Sequence, residues 1–211
     1  MACEDGTPTA SNAGEVFAPY KAKQNEIGVK IDHGRLVTTL SAFQITKPSG
    51  QLSGTVFGVN GEQRNRGLEL SMFGEAAKGV RLTGGVTWLD AELTRTNSAA
   101  TLGNTPVGVP SSQANLGAEW DTPGLPGVSL TGAVAYTGKQ YVNQANTQSI
   151  PGWTKVDLGA RYRTTVAGKV TVFRLSLQNA ANRDYWSGVA SYGAFVQAAP
   201  RTVLLSATVD L

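Results

Sequence analysis

The most constraining feature of this chain is a two-residue alternation of apolar and polar side chains. In the segment 153–164 (WTKVDLGARYRT), Val156, Leu158, Ala160 and Tyr162 alternate with glycine and charged residues. A period of two places the two sets on opposite faces of a β-strand. The alternation occurs in nine segments: 24–32, 35–47, 62–74, 79–94, 112–120, 127–138, 153–164, 169–179 and 200–211. No stretch has a clear helical period, so we expect an all-β chain of about nine strands.

The connections between these predicted strands alternate between short and long. The short ones are 33–34, 75–78, 121–126 and 165–168, and the long ones are 48–61, 96–111, 140–152 and 181–199. Outer-membrane barrels have short periplasmic turns and long extracellular loops, whereas a soluble β-sandwich has no reason to keep its long connections at one end. The alternation of short and long connections therefore predicts an antiparallel up-and-down transmembrane β-barrel segment whose four long loops are extracellular.

The polar face of the predicted strands carries charges of both signs. Its charged members are Glu26, Lys30, Asp32, Glu69, Arg81, Glu119, Lys155, Asp157, Arg161, Arg163 and Arg174. Because unpaired charge in an apolar core is very costly, this face is expected to line an interior filled by water or by a polar domain. The segment 35–47 alternates less regularly, with Val37, Phe43 and Ile45 together on the face assigned to the apolar set.

Aromatic residues fall near the predicted strand ends, as in the interfacial girdle of a membrane barrel. The candidate girdle residues are Trp88, Trp120, Tyr136, Tyr141, Trp153 and Tyr162. Ordinary packing of a soluble sheet remains the alternative interpretation of these rings.

Composition removes several classes of protein. Charged residues make up 16% of the 211, and the net charge of +3 comes from scattered Lys and Arg, so nucleic-acid binding has little support. The single cysteine, Cys3, allows no internal disulfide. The N-terminus lacks the basic and apolar regions of a signal peptide, and the apolar runs are too short for a transmembrane helix.

No catalytic constellation or metal site is evident in the sequence, so we expect no enzyme. The lone histidine, His33, precedes Gly34 in a predicted turn, and no G-x-S-x-G nucleophile motif occurs. Asp90 and Glu92 share one strand face near the outer rim, where solvated charge is favoured over Ca²⁺ binding because no run of further ligands follows.

Several segments resemble, in order, the C-terminal half of TonB-dependent ferric-siderophore receptors. They include PYKAKQNEIGVK (19–30), GEQRNRGLELSMFGE (61–75), GVRLTGGVTWLDAELTRT (79–96), IPGWTKVDLGARYRT (150–164), LQNAANRDYW (177–186) and PRTVLLSATVDL (200–211). The resemblance implies the C-terminal part of a 22-stranded barrel, without its plug domain. It divides the chain into 1–18, a poorly defined N-terminal segment or extracellular loop, and 19–211, the receptor-like barrel.

The resemblance also implies a function. Such receptors carry Fe(III)-siderophore complexes across the bacterial outer membrane without covalent chemistry or a covalently bound cofactor. Their partners are TonB (through a segment missing here), the outer-membrane assembly machinery, and lipid or lipopolysaccharide. The positions corresponding to the ligand site are Tyr141, Gln144, Arg183, Tyr185, Trp186 and Tyr192. The rings would stack on aryl groups and Arg183 would pair with negative charge, although packing within the loops could explain each residue singly.

Two departures from the family lead to further expectations. Family members typically end in an aromatic residue, whereas this chain ends in Leu211, so weaker recognition by the assembly machinery is expected. Single-chain bacterial barrels have an even number of strands, so nine strands predict a fragment that does not close alone. The alternatives are a stand-alone or remnant outer-membrane module that displays loops for binding or adhesion without transport and, less favoured, a soluble all-β enzyme.

Overall fold

The computed structural model describes residues 10–189 and 194–210, most of which form β-strands. In chain order the elements are β1 (Lys23–Asp32), β2 (Leu36–Ser53), β3 (Val56–Ala77), β4 (Val80–Arg95), a 3₁₀ turn (Ala99–Thr101), β5 (Ser112–Asp121), β6 (Val128–Thr137), β7 (Gln140–Tyr141), β8 (Ser149–Ile150), β9 (Trp153–Val166), β10 (Lys169–Gln178), β11 (Trp186–Val189), β12 (Phe195–Gln197) and β13 (Thr202–Val209). In these parts of the chain we find no helical segment with the length and hydropathy of a membrane span.

Nine of the strands form one antiparallel sheet in the order β1-β2-β3-β4-β5-β6-β9-β10-β13. Each strand pairs with the next long strand along the chain, which is the up-and-down topology that the sequence predicts. The remaining strands form two small hairpins, β7–β8 and β11–β12, inside the long connections. Within the described residues, β1 and β13 occupy the two edges of the sheet.

The strand register sorts the side chains into two faces. Residues that pair across neighbouring strands form rows that cross the sheet. One such row contains Leu40, Leu70, Val86, Ala114 and Tyr136. We call the side of the sheet on which these side chains lie the apolar face. The other side, which we call the charged face, carries all eleven of the charged residues predicted to share it. On the charged face Arg81 lies opposite Glu119, and Arg161 lies opposite Arg174.

The apolar face is open rather than packed against a second layer. Leu68 and Leu158 are each 50% exposed, and Leu205 is 77% exposed. Among the described residues the buried hydrophobic side chains are Ala91, Leu93 and Ile150. A soluble sheet buries its apolar face against another layer; a membrane barrel turns that face to lipid. The exposure pattern matches the second arrangement.

Strand β2 corrects one expectation. The register places Leu40 and Ala42 on the apolar face, opposite Val29 and Ile27 of β1. Val37, Phe43 and Ile45 therefore lie on the charged face, contrary to the prediction. Phe43 lies directly opposite Gly67 of β3, and a Cβ atom at Gly67 would meet its ring at 2.5 Å. The absence of a side chain at Gly67 gives this aromatic ring its space on the charged face.

The predicted loop 48–61 is also wrong, because β2 and β3 continue through it. The two strands are joined only by Gly54 and Thr55, and Gly54 has a φ of 62° that suits glycine. The tip is fastened to the N-terminal segment, where Asn12 Oδ1 accepts a hydrogen bond from Phe57 N at 2.9 Å. The ring of Phe17 packs edge-on against that of Phe57, with centroids 5.5 Å apart.

The aromatic girdle is confirmed in part. The register places Trp88, Trp120, Tyr136 and Tyr162 on the apolar face. Trp153 instead lies on the charged face, opposite Thr137, and Tyr141 belongs to β7 in a long connection. These two rings are therefore not girdle residues. The chain end at Leu211 lies outside the described residues.

Candidate functional site: the joined outer loops

The candidate site lies where three long connections meet beyond the ends of the strands. They are residues 96–111 between β4 and β5, 138–152 between β6 and β9, and 179–201 between β10 and β13. Their backbones carry polar groups that need partners, and each connection satisfies some of these through its neighbour. The result is one group of contacting loops, which we call the outer cap.

The first two connections of the outer cap are joined by backbone and amide hydrogen bonds. Gly108 N donates to Tyr141 O at 2.9 Å, and Asn104 Nδ2 donates to Gln144 O at 2.8 Å. The side chain of Asn146 accepts from Thr105 N at 2.8 Å and donates to Thr105 O at 2.9 Å. Asn146 can do this because it adopts a φ of 56°, in the left-handed region that asparagine tolerates.

The third connection joins the outer cap through Gln140 and Trp153. Gln140 is 4% exposed, and its Oε1 accepts a hydrogen bond from Val189 N at 3.4 Å. The indole of Trp153 donates from Nε1 to Ser187 O at 3.2 Å. Its ring also stacks on Tyr185, with centroids 4.8 Å apart. Since Trp153 lies on the charged face, Tyr185 is held on that side of the sheet.

Asn179 fixes both ends of the third connection. It is 2% exposed, and its Nδ2 donates to Arg183 O at 2.9 Å and to Ala199 O at 3.1 Å. Its Oδ1 accepts from Arg183 N at 3.0 Å, and its own backbone N donates to Asp157 Oδ1 at 2.8 Å. The buried side chain of Asn179 thus ties the start of the loop to its return, and the backbone of the same residue attaches the loop to β9.

The structure places five of the six predicted ligand residues in the outer cap. Tyr141 and Tyr185 are half-buried, and Gln144, Arg183 and Trp186 are exposed. The ring of Tyr141 has Lys139 Nζ 4.9 Å from its centroid. Trp186 packs against Phe195 with centroids 5.4 Å apart. The sixth residue, Tyr192, lies outside the described residues.

Sequence reasoning missed the residues that assemble this site. Gln140 and Trp153 hold the third connection to the rest of the outer cap, Asn179 joins the two ends of that connection, and Lys139 lies beside Tyr141. One signal was available, since an asparagine directly after a strand favours left-handed backbone, and Asn179 has a φ of 48°. The contact of Gln140 with Val189 had no such signal in the sequence, because the two residues are 49 positions apart.

A second polar feature lies on the charged face near the short turns. Arg81 contacts Glu119 at 2.5 Å and Asp121 at 2.7 Å, and Arg161 contacts the same Glu119 oxygen at 2.5 Å. Ser129 Oγ donates to Asp121 Oδ1 at 2.7 Å and closes the network. Two arginines and two carboxylates therefore balance one another on this part of the charged face.

A groove of about 590 Å³ borders this network, and Phe73 and Asp157 also line it. Phe73 is 71% exposed although it lies among polar groups. An exposed aromatic ring next to paired charges suits contact with another folded segment in the interior. Within residues 10–189 and 194–210, no group of three or more His, Cys, Asp or Glu side chains is placed to hold a metal ion.

These features define a class of protein. A meander sheet with an open apolar face, a charged opposite face and long connections at one end is the wall of an outer-membrane β-barrel. The family model for the TonB dependent receptor-like β-barrel matches residues 4–180, and the chain belongs to this family. The family resemblance seen in the sequence is thus confirmed, and with it the outer-membrane location.

Individual relatives agree with this family. The chain is 42% identical over 209 residues to the ferrichrome receptor FcuA of Yersinia enterocolitica, covering 98% of this chain and 27% of that protein. It is 34% identical to the ferrichrome outer membrane transporter/phage receptor of Escherichia coli K12, covering 92% and 27% respectively. The crystal structure of BauA, the ferric preacinetobactin receptor of Acinetobacter baumannii, superposes with a TM-score of 0.83 at 47% identity, over 96% of this chain and 31% of BauA. The chain therefore spans about a quarter to a third of the length of these relatives.

Proposed function

We propose that this chain forms part of the barrel of an outer-membrane receptor that takes up ferric siderophore complexes. The observation that carries the proposal is the outer cap, in which three loops are fastened to one another and hold Tyr185 on the charged face through Trp153. The relatives named ferrichrome and ferric preacinetobactin receptors support a ferric complex as the ligand.

The ligand contacts proposed here are Tyr141, Gln144, Arg183, Tyr185 and Trp186, together with Tyr192. Arg183 suits the oxygen ligands that surround Fe(III) in such a complex, because its side chain is exposed and makes no ion pair with a described residue. Tyr185 and Trp186 present aromatic surface for stacking. Lys139 adds a second cation beside Tyr141.

Uptake requires the ligand to pass along the charged face, with no covalent bond made or broken, so the protein acts as a transporter rather than an enzyme. The groove beside Phe73 and the Arg81–Glu119 network suits a plug domain that sits inside the barrel. TonB is the general partner of this family and supplies the energy for release. Display of the loops for adhesion is not favoured, because the named relatives are receptors and transporters for ferric ligands.

Ligand binding and uptake by the full-length polypeptide that contains these residues would test the proposal. Ferrichrome and ferric preacinetobactin are the probes, with binding followed by tryptophan fluorescence and uptake by cell-associated ⁵⁵Fe. We expect Arg183→Gln and Tyr185→Ala to weaken binding of the cognate complex about tenfold each. Trp88→Ala, on the apolar face, is the control and should bind normally. Unchanged affinity in both variants would reject the ligand assignment, and binding without energy-dependent ⁵⁵Fe uptake would reject transport.

A further inference from the structure

The outer part of the β2–β3 hairpin extends beyond the strands on both sides of it. Strand β1 pairs with β2 only as far as Thr46, and β4 pairs with β3 only as far as Glu62. Residues 48–61 therefore have no neighbouring strand in the described parts of the chain, although β2 and β3 continue to pair with each other up to Ser53 and Val56. The backbone groups along the two free sides of this hairpin need other partners.

The side chain of Gln51 binds the start of the connection that follows β4. Its Nε2 donates to Arg95 O at 3.0 Å, and its Oε1 accepts from Asn97 N at 2.7 Å. A neighbouring strand would bind the same two backbone groups, so the amide of Gln51 takes the place of a strand peptide. In return, Asn97 Nδ2 donates to Leu52 O at 3.1 Å and to Ser53 Oγ at 2.9 Å. We call these four hydrogen bonds the hairpin brace.

A glycine leaves the space that the Gln51 side chain needs to reach this connection. Gly61 is buried, and a Cβ atom at this position would overlap the Nε2 atom of Gln51. A second glycine of the hairpin, Gly58, has open space around it, because a Cβ atom there would meet the Asn60 side chain at 4.0 Å. A methyl group added at Gly61 should therefore displace the Gln51 amide, whereas the same group added at Gly58 should not.

Further hydrogen bonds connect the hairpin brace to the outer cap. Thr96, the residue between the two positions that the brace binds, has its Oγ1 atom 2.7 Å from Thr101 Oγ1. Asn104 N donates to Thr101 O at 3.2 Å, and Asn104 Nδ2 donates to Gln144 O at 2.8 Å. The same connection also binds Tyr141 O. An unbroken series of contacts thus leads from the hairpin to the backbone of two proposed ligand residues, Tyr141 and Gln144.

We propose that Gln51 and Asn97 are positioning residues for the binding of the ferric ligand. They hold the connection 96–111 where it can fix the backbones of Tyr141 and Gln144. This inference rests on the proposed function, because it assigns a role in the same ligand site. Coupling between two parts of a protein is reciprocal, so a ligand bound in the outer cap must in turn stabilise the hairpin. A brace that served only the stability of the hairpin would not produce this link.

The affinity of the full-length polypeptide for ferrichrome and ferric preacinetobactin, followed by tryptophan fluorescence, tests the hairpin brace. We expect Gln51→Ala, Asn97→Ala and Gly61→Ala each to weaken binding of the cognate complex about fivefold, because each removes or displaces two hydrogen bonds of the brace. The double variant Gln51→Ala/Gly61→Ala should bind no more weakly than Gln51→Ala, since the methyl group then has no amide to displace. Gly58→Ala is the matched control and should bind normally.

Hydrogen exchange provides a readout that a purely structural role would not change. Saturating ligand should slow exchange over residues 51–61 in the wild type and in Gly58→Ala, but not in Gln51→Ala. Every variant is first checked for the heat-modifiable gel mobility of a folded barrel, and Gln51→Ala and Asn97→Ala decide the outcome if Gly61→Ala does not fold.

Three results would overturn the inference: normal affinity in Gln51→Ala and Asn97→Ala, an equal loss of affinity in Gly58→Ala, or ligand protection of the hairpin that persists in Gln51→Ala. The wild type separates this failure from failure of the proposed function. If the wild type binds neither complex, the proposed function is rejected and this inference with it. If the wild type binds normally and the brace variants match it, the inference alone is rejected.

Discussion

The indole of Trp153 stacks on the phenol ring of Tyr185, with ring centroids 4.8 Å apart and an interplanar angle of 26°. Trp153 is the first residue of β9 and belongs to the wall of the sheet, whereas Tyr185 lies in the connection that follows β10. The contact therefore attaches a long outer loop to the rigid sheet. Loss of this stacking contact should change the conformation of the loop before it lowers the stability of the barrel.

We expect Trp153→Ala to weaken binding of the ferric ligand about tenfold or more, because Tyr185 loses its stacking partner and Ser187 O loses a donor. Trp153→Phe keeps an aromatic ring but has no N–H donor. Its affinity for the ferric ligand should therefore lie between that of the wild type and that of Trp153→Ala. Titration by fluorescence of the full-length polypeptide measures both. Equal affinity in all three proteins would show that the attachment of this loop does not matter for binding.

The buried side chain of Asn179 should be essential for the shape of the same loop. Asn179→Ala removes three side-chain hydrogen bonds and forces alanine to a positive φ, which together should cost about 2–4 kcal/mol locally. Asn179→Gly tolerates the φ and isolates the hydrogen-bond contribution. Hydrogen exchange over 179–189 and 194–201 should quicken in both variants while β9 stays protected. Slow exchange like that of the wild type would contradict the role assigned to Asn179, and Asn25→Ala, an exposed strand position, is the control.

Glu119 of β5 joins Arg81 of β4 and Arg161 of β9 across four neighbouring strands of the charged face. Glu119→Gln keeps the shape but removes the charge that both guanidinium groups share, and we expect a loss of about 1–2 kcal/mol in unfolding free energy. Glu75→Gln is the comparison. It removes a charge that faces the largely exposed Arg35 at 3.8 Å, and the glutamine oxygen can still accept the hydrogen bond from Gly79 N, so stability should change by less than about 0.5 kcal/mol. Urea unfolding in micelles measures both. A similar effect for the two substitutions would mean that the network adds no stability.

Two adjacent residues of β5 provide a test of which face contacts lipid. Leu116 lies on the apolar face opposite Val134, whereas Asn115 lies on the charged face opposite Ala135. Leu116→Arg should reduce the folded yield strongly, because arginine in the middle of a lipid face costs about 2–4 kcal/mol. Asn115→Arg should have little effect in a wet interior. The fraction of protein with folded gel mobility distinguishes them, and the reverse order of yields would invert the two faces.

The local alternation of residues was enough to predict most of the sheet. In β9, every second residue from Val156 to Tyr162 lies on the apolar face, as its sequence indicates. The same reasoning failed in β2, where Val37, Phe43 and Ile45 point to the charged face. In β2 the pairing with neighbouring strands decides which side chains lie on the apolar face, because Leu40 pairs with Val29 of β1 and Leu70 of β3. A strand whose two faces have similar hydropathy does not specify its own orientation.

The outer cap was less predictable than the sheet. Its candidate ligand residues follow from the resemblance to a family, but the contacts that gather them join positions far apart in sequence. Gln140 meets Val189, and Asn104 meets Gln144. The segment 48–61 was expected to be a loop between two strands, yet pairing between β2 and β3 keeps it extended.

The sequence by itself determined the all-β class, the up-and-down order of the strands and the division into an apolar and a charged face. A period of two is a local property of the chain, and each short turn pairs the two strands that it joins. The tertiary structure alone decided which side chains of β2 lie on each face and how far the β2–β3 hairpin extends. It also decided the attachment of the third outer loop by Gln140 and Trp153 and the closure of that loop by Asn179. These depend on pairing and burial between distant segments, and such contacts exist only once the sheet has brought those segments together.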